Sequence, residues 1–427
     1  MKFIYSDSLD YVDPSFDFLN DNHTENREPY WDDRFAHEIL KDAPYDGLLV
    51  SRAMVGTSKT VGKYTQSQAM RFQRVGAREF LRFNNKKHID MPIFGDNGAF
   101  SYANEDVPPY GAIDTIEFYG DGRFTHGCSV DHIIFEFDEK SKGLNGGSEQ
   151  SKKRFEITLQ LASEFLAGSK KLGKSFIPVG VIQGWSPDSM AYAARQLIKM
   201  GYRYLAIGGL VPLKATQIHI IVSRIEDEIS RWSSTKLHLL GFAKLDNLHE
   251  FIKYKKIASF DSSSPLIRAF KDASRNYYSK NGVLIEYYSA LRIPQAIESN
   301  ILKKLSKKGL YTQEELLRLE RKALQHTRDY DSGEIDLEIA LQSILDYTVP
   351  LLSSDSSKKN LLLKKIETLR INYQKTLLAK PWTKCNCLIC REVGIETVIF
   401  RGSNRNKRRG IHNLFVFHNH LKKLLRK

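Results

Sequence analysis

The chain has 427 residues, carries 64 Lys and Arg against 50 Asp and Glu, and has a formal net charge of +14 with a pI near 9.3. Its length excludes a small stapled module and leaves room for one large barrel-type domain with additions, or for two to three ordinary domains. Its 27% charged and 41% hydrophobic residues are those of a soluble globular protein, and its four Cys exclude a disulfide framework.

No apolar run approaches the ~18 residues that a membrane span requires. The opening residues 1–7 have no apolar signal-type core, so the expected compartment is the cytoplasm. A positive excess of this size points to a polyanionic partner. The first forty residues are acidic. The excess falls late, in Lys303-Lys304, Lys307-Lys308, Lys358-Lys359, Lys364-Lys365, Arg405, Lys407, Arg408, Arg409, Lys422, Lys423, Arg426 and Lys427. A basic face in one part of the molecule suits a phosphate backbone.

In chain order, residues 1–45 show little periodicity and read as loops with a short helix over 34–40. Apolar runs at 46–51, 91–96, 131–138, 176–182, 204–207, 237–242 and 257–260 read as seven buried strands. Helical spacing over 66–83, 150–171, 187–200, 216–232 and 245–254 supplies the connections, with Pro187 in a first turn as helices prefer. Alternating strands and helices predict a parallel sheet. With no glycine-rich dinucleotide fingerprint after the first strand, the pattern favours an α/β fold of the (β/α)8 TIM-barrel type.

The repeat stops after Asp261. Residues 314–325, 336–347 and 361–378 read as helices, and 353–357 as a linker. The predicted organisation is a barrel with an N-terminal extension over 1–264, a mostly helical insertion over 265–380 that contacts nucleic acid, and a zinc-binding subdomain with a basic helix over 381–427.

Barrel enzymes place their reacting groups at the carboxyl ends of the strands. Here those ends carry Asp96, Asp138, Gln183, the pair Gly208-Gly209, and Asp261. A lone Asp in such a place is more often a turn cap; five polar or glycine ends together define a candidate site. Farther on, Cys385, Cys387 and Cys390 put three thiols in one tight turn, with His412, His418 and His420 downstream as candidates for a fourth ligand. Three Cys and one His make a closed tetrahedral site of the structural kind, which suits Zn²⁺.

These motifs carry a resemblance. Asp96-Asn97-Gly98-Ala99-Phe100 resembles the Asp-Ser-Gly-Gly-Phe motif of tRNA-guanine transglycosylases, and Phe137-Asp138-Glu139 resembles their Phe-Asp-Glu motif. Gly180 to Gly184, Ala206 to Leu210, Leu240-Gly241-Phe242 and Phe260-Asp261 follow in that family's order. Cys385, Cys387, Cys390 and His412-Asn413-Leu414 are similar to its zinc signature.

The resemblance implies an exchange of guanine in a nucleic acid for a 7-deazaguanine, with Asp261 as nucleophile and Asp96 as general acid/base. It implies Asp138 as acceptor for the Watson–Crick edge of guanine, Gln183 with the backbone of Gly208 and Gly209 at the base carbonyl, and Phe100 or Tyr102 as a stacking ring. It assigns Zn²⁺ to Cys385, Cys387, Cys390 and His412. Val211-Pro212-Leu213 is similar to the type that uses 7-cyano-7-deazaguanine. The stretch after the nucleophile, Ser262 to Arg268, departs from the tRNA-contacting motif of the family. With the opening residues 7–16, it looks like the DpdA branch, which places 7-deazaguanines in DNA. That branch implies partner proteins of a restriction-type DNA-modification system; tRNA is the alternative substrate.

Overall fold

Eight strands, β1 (Lys2–Ser6), β2 (Gly47–Ser51), β3 (Ile93–Asp96), β4 (His126–Cys128), β5 (Ile177–Ile182), β6 (Tyr204–Ile207), β7 (Lys236–Leu239) and β8 (Ile257–Ser262), pair in sequence order. All the pairings are parallel and β1 joins β8, so the sheet closes into a barrel. This is the (β/α)8 architecture expected. The computed structural model describes residues 1–56, 61–281, 284–353 and 359–426. Most of the linker expected at 353–357 lies outside them.

Two strand expectations are corrected. Residues 1–45 were expected to lack a strand, yet Lys2–Ser6 closes the barrel, with Ile4 opposite both Gly47 and Asp261. Three consecutive apolar residues are too few to show a period, but they suffice for a strand buried on both faces. The strand expected over 131–138 is instead His126–Cys128. The apolar pair that suggested it, Ile133 and Ile134, is buried outside any ladder. Side chains satisfy that backbone: Arg154 donates to Ile133 O at 2.8 Å and Ile134 N donates to Gln183 Oε1 at 3.3 Å. The single helix expected over 66–83 is also divided. Gly76, at φ +83°, separates Gln66–Val75 from Ala77–Phe80.

Side-chain alternation builds the site. Ile4, Phe94, Val181 and Ala206 belong to the buried cluster inside the barrel. Successive side chains on a strand point to opposite faces, so the residue two positions on returns to the interior, one layer nearer the carboxyl mouth. Those residues are Ser6, Asp96, Gln183 and Gly208. On β8 the same step leads from Ser259 to Asp261.

Contacts group Met1–Leu9 and Tyr45–Ser264 as one compact unit, and Asp10–Pro44 with Pro265–Lys427 as another. The second unit holds the helices Asn300–Lys307, Gln313–Ser332, Leu337–Ser353 and Lys359–Ala379. It also holds an antiparallel hairpin, β9 (Tyr277–Asn281) with β10 (Leu284–Tyr288), and a parallel pair, β11 (Leu291–Arg292) with β12 (Ile399–Phe400). The sequence had divided this region at 380. The β11–β12 pair and the bond from Tyr278 N to Asn413 Oδ1 at 2.9 Å tie its two sides together. No described helix is long and apolar enough to cross a membrane.

Candidate active site

Asp261 is buried at the end of β8 with donors around both oxygens. Gly241 N donates to Oδ1 at 2.8 Å, His238 Nε2 lies 3.1 Å from the same oxygen, and Ser6 Oγ donates to Oδ2 at 2.6 Å. Such a set holds the carboxylate in one orientation.

Asp96 ends β3. Burial pushes its carboxyl up to about 6; the nearby charge of Asp261 adds to the rise, and Gly98 N, donating at 3.0 Å, opposes it. The turn after it is pinned by buried Asn97. Tyr110 OH donates to its carbonyl at 2.6 Å, Thr115 Oγ1 donates to Oδ1 at 2.9 Å, and Nδ2 donates to Cys128 O at 3.2 Å. Gly98 sits at φ +75°, where a Cβ would approach Ser51 Oγ to 2.6 Å, so only glycine fits the turn. A carboxyl that titrates near neutrality can give a proton and take one back.

The structure places Asp138 and Asp131 differently. Asp138 is exposed, and its carboxylate is occupied by Lys140 N at 2.9 Å and Ser141 Oγ at 2.6 Å within its own loop. Asp131 is 3% exposed and accepts from Gln183 Nε2 at 2.7 Å. Burial, and then the charge of Asp96, push it up to about 7. Ending the strand at Cys128 would have singled out Asp131 as the first acid past that end; the apolar pair at 133–134 hid it.

Gln183 sits at its expected place, buried, with its amide between Asp131 and Ile134 N. A Cβ on Gly208 would lie 2.4 Å from Gln183 Nε2, and Gly209 adopts φ +71°. Of the two candidate stacking rings, Tyr102 is core, its hydroxyl donating to Asp131 O at 3.0 Å. Phe100 is 53% exposed and pairs with exposed Phe135 at a centroid distance of 5.8 Å. Phe135 had not been singled out.

In the second unit, the Sγ atoms of Cys385, Cys387 and Cys390 lie 3.5, 3.4 and 3.3 Å from His412 Nδ1. Zinc bonds of about 2.0–2.1 Å to nitrogen and about 2.3 Å to sulfur give a tetrahedral N···S edge of about 3.5 Å. The cluster can therefore hold a metal ion, and its donor set and spacing are compatible with zinc. His412 Nε2 lies 2.7 Å from Tyr278 O, and the Tyr277 ring stacks on the imidazole at 4.0 Å, which fixes the ligand's orientation. His418 and His420 are not in the cluster.

The expected basic face is only partly a surface. Helix Asn300–Lys307 buries Leu302 and Leu305 and turns Lys303, Lys304, Lys307 and the following Lys308 outward. Arg405, Arg408 and Arg409 are buried instead. Arg405 pairs with Asp21 and, at 2.7 Å, with Glu396. Arg409 donates to the carbonyls of Thr397, Ile399 and Ala269 at 3.0, 3.1 and 2.7 Å. Those cations satisfy internal acceptors, a use that sequence position does not reveal.

A closed parallel barrel whose mouth gathers Asp96, Asp131 and Asp261 is consistent with the tRNA-guanine transglycosylase superfamily of pentosyltransferases, and likeness to a known protein carries the assignment. No family model matches the chain. It is 39% identical over 423 residues to the DNA-guanine transglycosylase of Salmonella montevideo, spanning 99% of this chain and 96% of that protein. The chain belongs to that DNA-guanine transglycosylase family.

Proposed function

We propose that this enzyme exchanges guanine in DNA for 7-cyano-7-deazaguanine through a covalent intermediate on Asp261, as part of a DNA-modification system. The observation that carries the reading is the placement at one barrel mouth of Asp261, held by Gly241 N, Ser6 Oγ and the imidazole of His238, and of Asp96, whose raised carboxyl is partly protonated near neutral pH. Likeness to a DNA-guanine transglycosylase over nearly the whole chain supports the substrate.

The target nucleotide is turned out of its stack to enter the mouth. An Asp261 oxygen bonds to C1′ as the bond from C1′ to guanine N9 breaks, and the bonding pair leaves with the base. The proton on Asp96 goes to the departing guanine. The incoming 7-deazaguanine then gives its ring N–H proton to Asp96, its nitrogen bonds to C1′, and the ester pair returns to Asp261. Two displacements retain the configuration at C1′, as in retaining glycosidases.

Ionised Asp131, rather than Asp138, accepts from N1–H and the 2-amino group of guanine. Gln183 and the backbone at Gly208 and Gly209 face the base carbonyl, and Phe100 with Phe135 stacks on the ring. Zinc at the Cys385, Cys387, Cys390 and His412 cluster is structural, since four protein ligands leave no open position.

The test supplies 7-cyano-7-deazaguanine with plasmid DNA or bulk tRNA, digests each to nucleosides and weighs them by mass spectrometry. The modified base in DNA and not in tRNA is expected. The base in tRNA alone would overturn the DNA reading. Neither product, together with no adduct dependent on Asp261, would overturn the catalytic assignment.

A further inference from the structure

Behind Asp261 a line of buried polar groups runs down into the barrel. Tyr204 OH lies 2.6 Å from Ser259 Oγ, Ser259 Oγ lies 2.6 Å from His238 Nδ1, and His238 Nε2 lies 3.1 Å from Asp261 Oδ1. Tyr204, Ser259 and His238 are all buried. A barrel interior is ordinarily filled by branched apolar side chains, and a polar line there must be fully hydrogen-bonded to be tolerated.

The backbone is arranged to make this line. Between β7 and β8 the register slips: Leu237 pairs with Ile257, but His238 pairs with Ser259, leaving Ala258 as an extra residue. The bulge brings the imidazole and the hydroxyl side by side, one layer below the acid. The ring is held flat against Phe94, at 5.1 Å between centroids and 21° between planes.

We propose that His238 is a positioning residue for the nucleophile, a neutral imidazole with its proton on Nε2 that stabilises Asp261 as a carboxylate. This rests on the reading of Asp261 as nucleophile. One proton per link orders the line: Tyr204 donates to Ser259, Ser259 donates to Nδ1, and Nε2–H donates to Oδ1. Among the described residues, Oδ1 thereby takes two donors, Gly241 N and His238, while Oδ2 takes one, Ser6. Oδ2 keeps the spare lone pairs and forms the bond to C1′; Oδ1 becomes the ester carbonyl.

The consequence is directional. Forming the ester discharges the carboxylate and weakens the bond from His238; breaking the ester returns the electron pair and strengthens it. Charge-assisted hydrogen bonds are about twice as strong as neutral ones. His238 therefore favours release of the sugar from Asp261 over its capture. Removing it withdraws that bond from the departing carboxylate, which becomes a poorer leaving group.

The experiment compares full-length wild type, His238→Phe, His238→Gln and Ser259→Ala on DNA with 7-cyano-7-deazaguanine. It reads the exchange rate and the fraction of protein trapped as a DNA adduct after denaturation. For His238→Phe we expect exchange slower by roughly 10- to 100-fold, with the adduct fraction higher than in wild type. His238→Gln, whose amide can donate, should return both readouts toward wild type. A purely structural residue would lower exchange and adduct together, and that result, or no rescue by Gln, would overturn the proposal.

Should His238→Phe fail to fold, Ser259→Ala decides. Losing the proton that sets the tautomer should also raise the adduct fraction, and an unchanged fraction overturns the proposal. An adduct that survives in Asp261→Asn would defeat the parent reading instead. An adduct lost in Asp261→Asn but unchanged in the His238 variants would defeat only this inference.

Discussion

Gln183 donates its amide to Asp131 at 2.7 Å, joining the end of β5 to the loop beyond β4. This pairing, rather than one through Asp138, brings the third acid to the barrel mouth. Burying this acid costs stability, a loss that the bond from Gln183 partly offsets. Burial raises Asp131 from 3.8 to about 7, so the folded protein holds this proton more tightly than the unfolded chain. Its stabilising contribution is complete below pH 3.8 and is lost as pH rises through about 7. Asp131→Asn should match wild type in stability near pH 4. It should exceed it by about 2–4 kcal/mol above pH 7.5 while losing discrimination for guanine. Thermal melts across that range check the first part; competition between guanine and adenine checks the second.

Asp96, raised to about 6, should give the exchange rate a limb near that pH. In Asp96→Asn the limb should vanish, and the rate should fall by about 10²- to 10⁴-fold. Because the charge of Asp261 helps to hold Asp96 up, Asp261→Asn should move the Asp96 titration lower. Carboxyl carbon NMR reads that shift directly, and a shift upward would contradict the assignment.

Gly208→Ala should damage base recognition rather than folding. The added methyl would sit 2.4 Å from Gln183 Nε2, and the side chain of Gln183 must give way. We expect KM for the 7-deazaguanine to rise by roughly tenfold, with kcat affected less and the melting temperature nearly unchanged. Steady-state kinetics with varied base separates these effects.

Chelation should unfold the second unit selectively. Three thiols and His412 Nδ1 converge within 4.8 Å, and without a metal ion the closely spaced sulfurs and the imidazole have nothing to draw them together. Dialysis against a strong chelator should release about one zinc per chain and expose the tyrosines Tyr277 and Tyr278, which are buried around it. Metal analysis and tyrosine fluorescence would record both; Cys390→Ala should reproduce the change.

The late basic residues should divide into two classes. Changing Lys303, Lys304, Lys307 and Lys308 to Gln should leave the melting temperature unaltered and reduce the dependence of DNA binding on salt. Arg405→Met removes one partner from Asp21 and one from Glu396, which keep Arg401 and Arg328, and should cost about 1–3 kcal/mol. Binding titrations at several salt concentrations and denaturant melts separate the two outcomes.

The sequence alone determined the parallel barrel, because six of its strands, β2, β3 and β5 to β8, are apolar runs, largely separated by stretches of helical spacing. It also singled out Asp96, Gln183, Asp261 and the three clustered cysteines, which stand at strand ends or in a tight local spacing, while His412 was chosen among three downstream histidines by the family resemblance. Three things only the tertiary structure decided. The first is β1, whose three apolar residues carry no period until β2 and β8 flank them. The second is the burial of Asp131, and not Asp138, beside Gln183, which turns on where a three-residue strand stops and on a partner 52 residues away. The third is the fate of the charges: Arg405 and Arg409 are as basic in the sequence as Lys303 and Lys304. Burial is a property of packing between distant segments, and no local pattern records it.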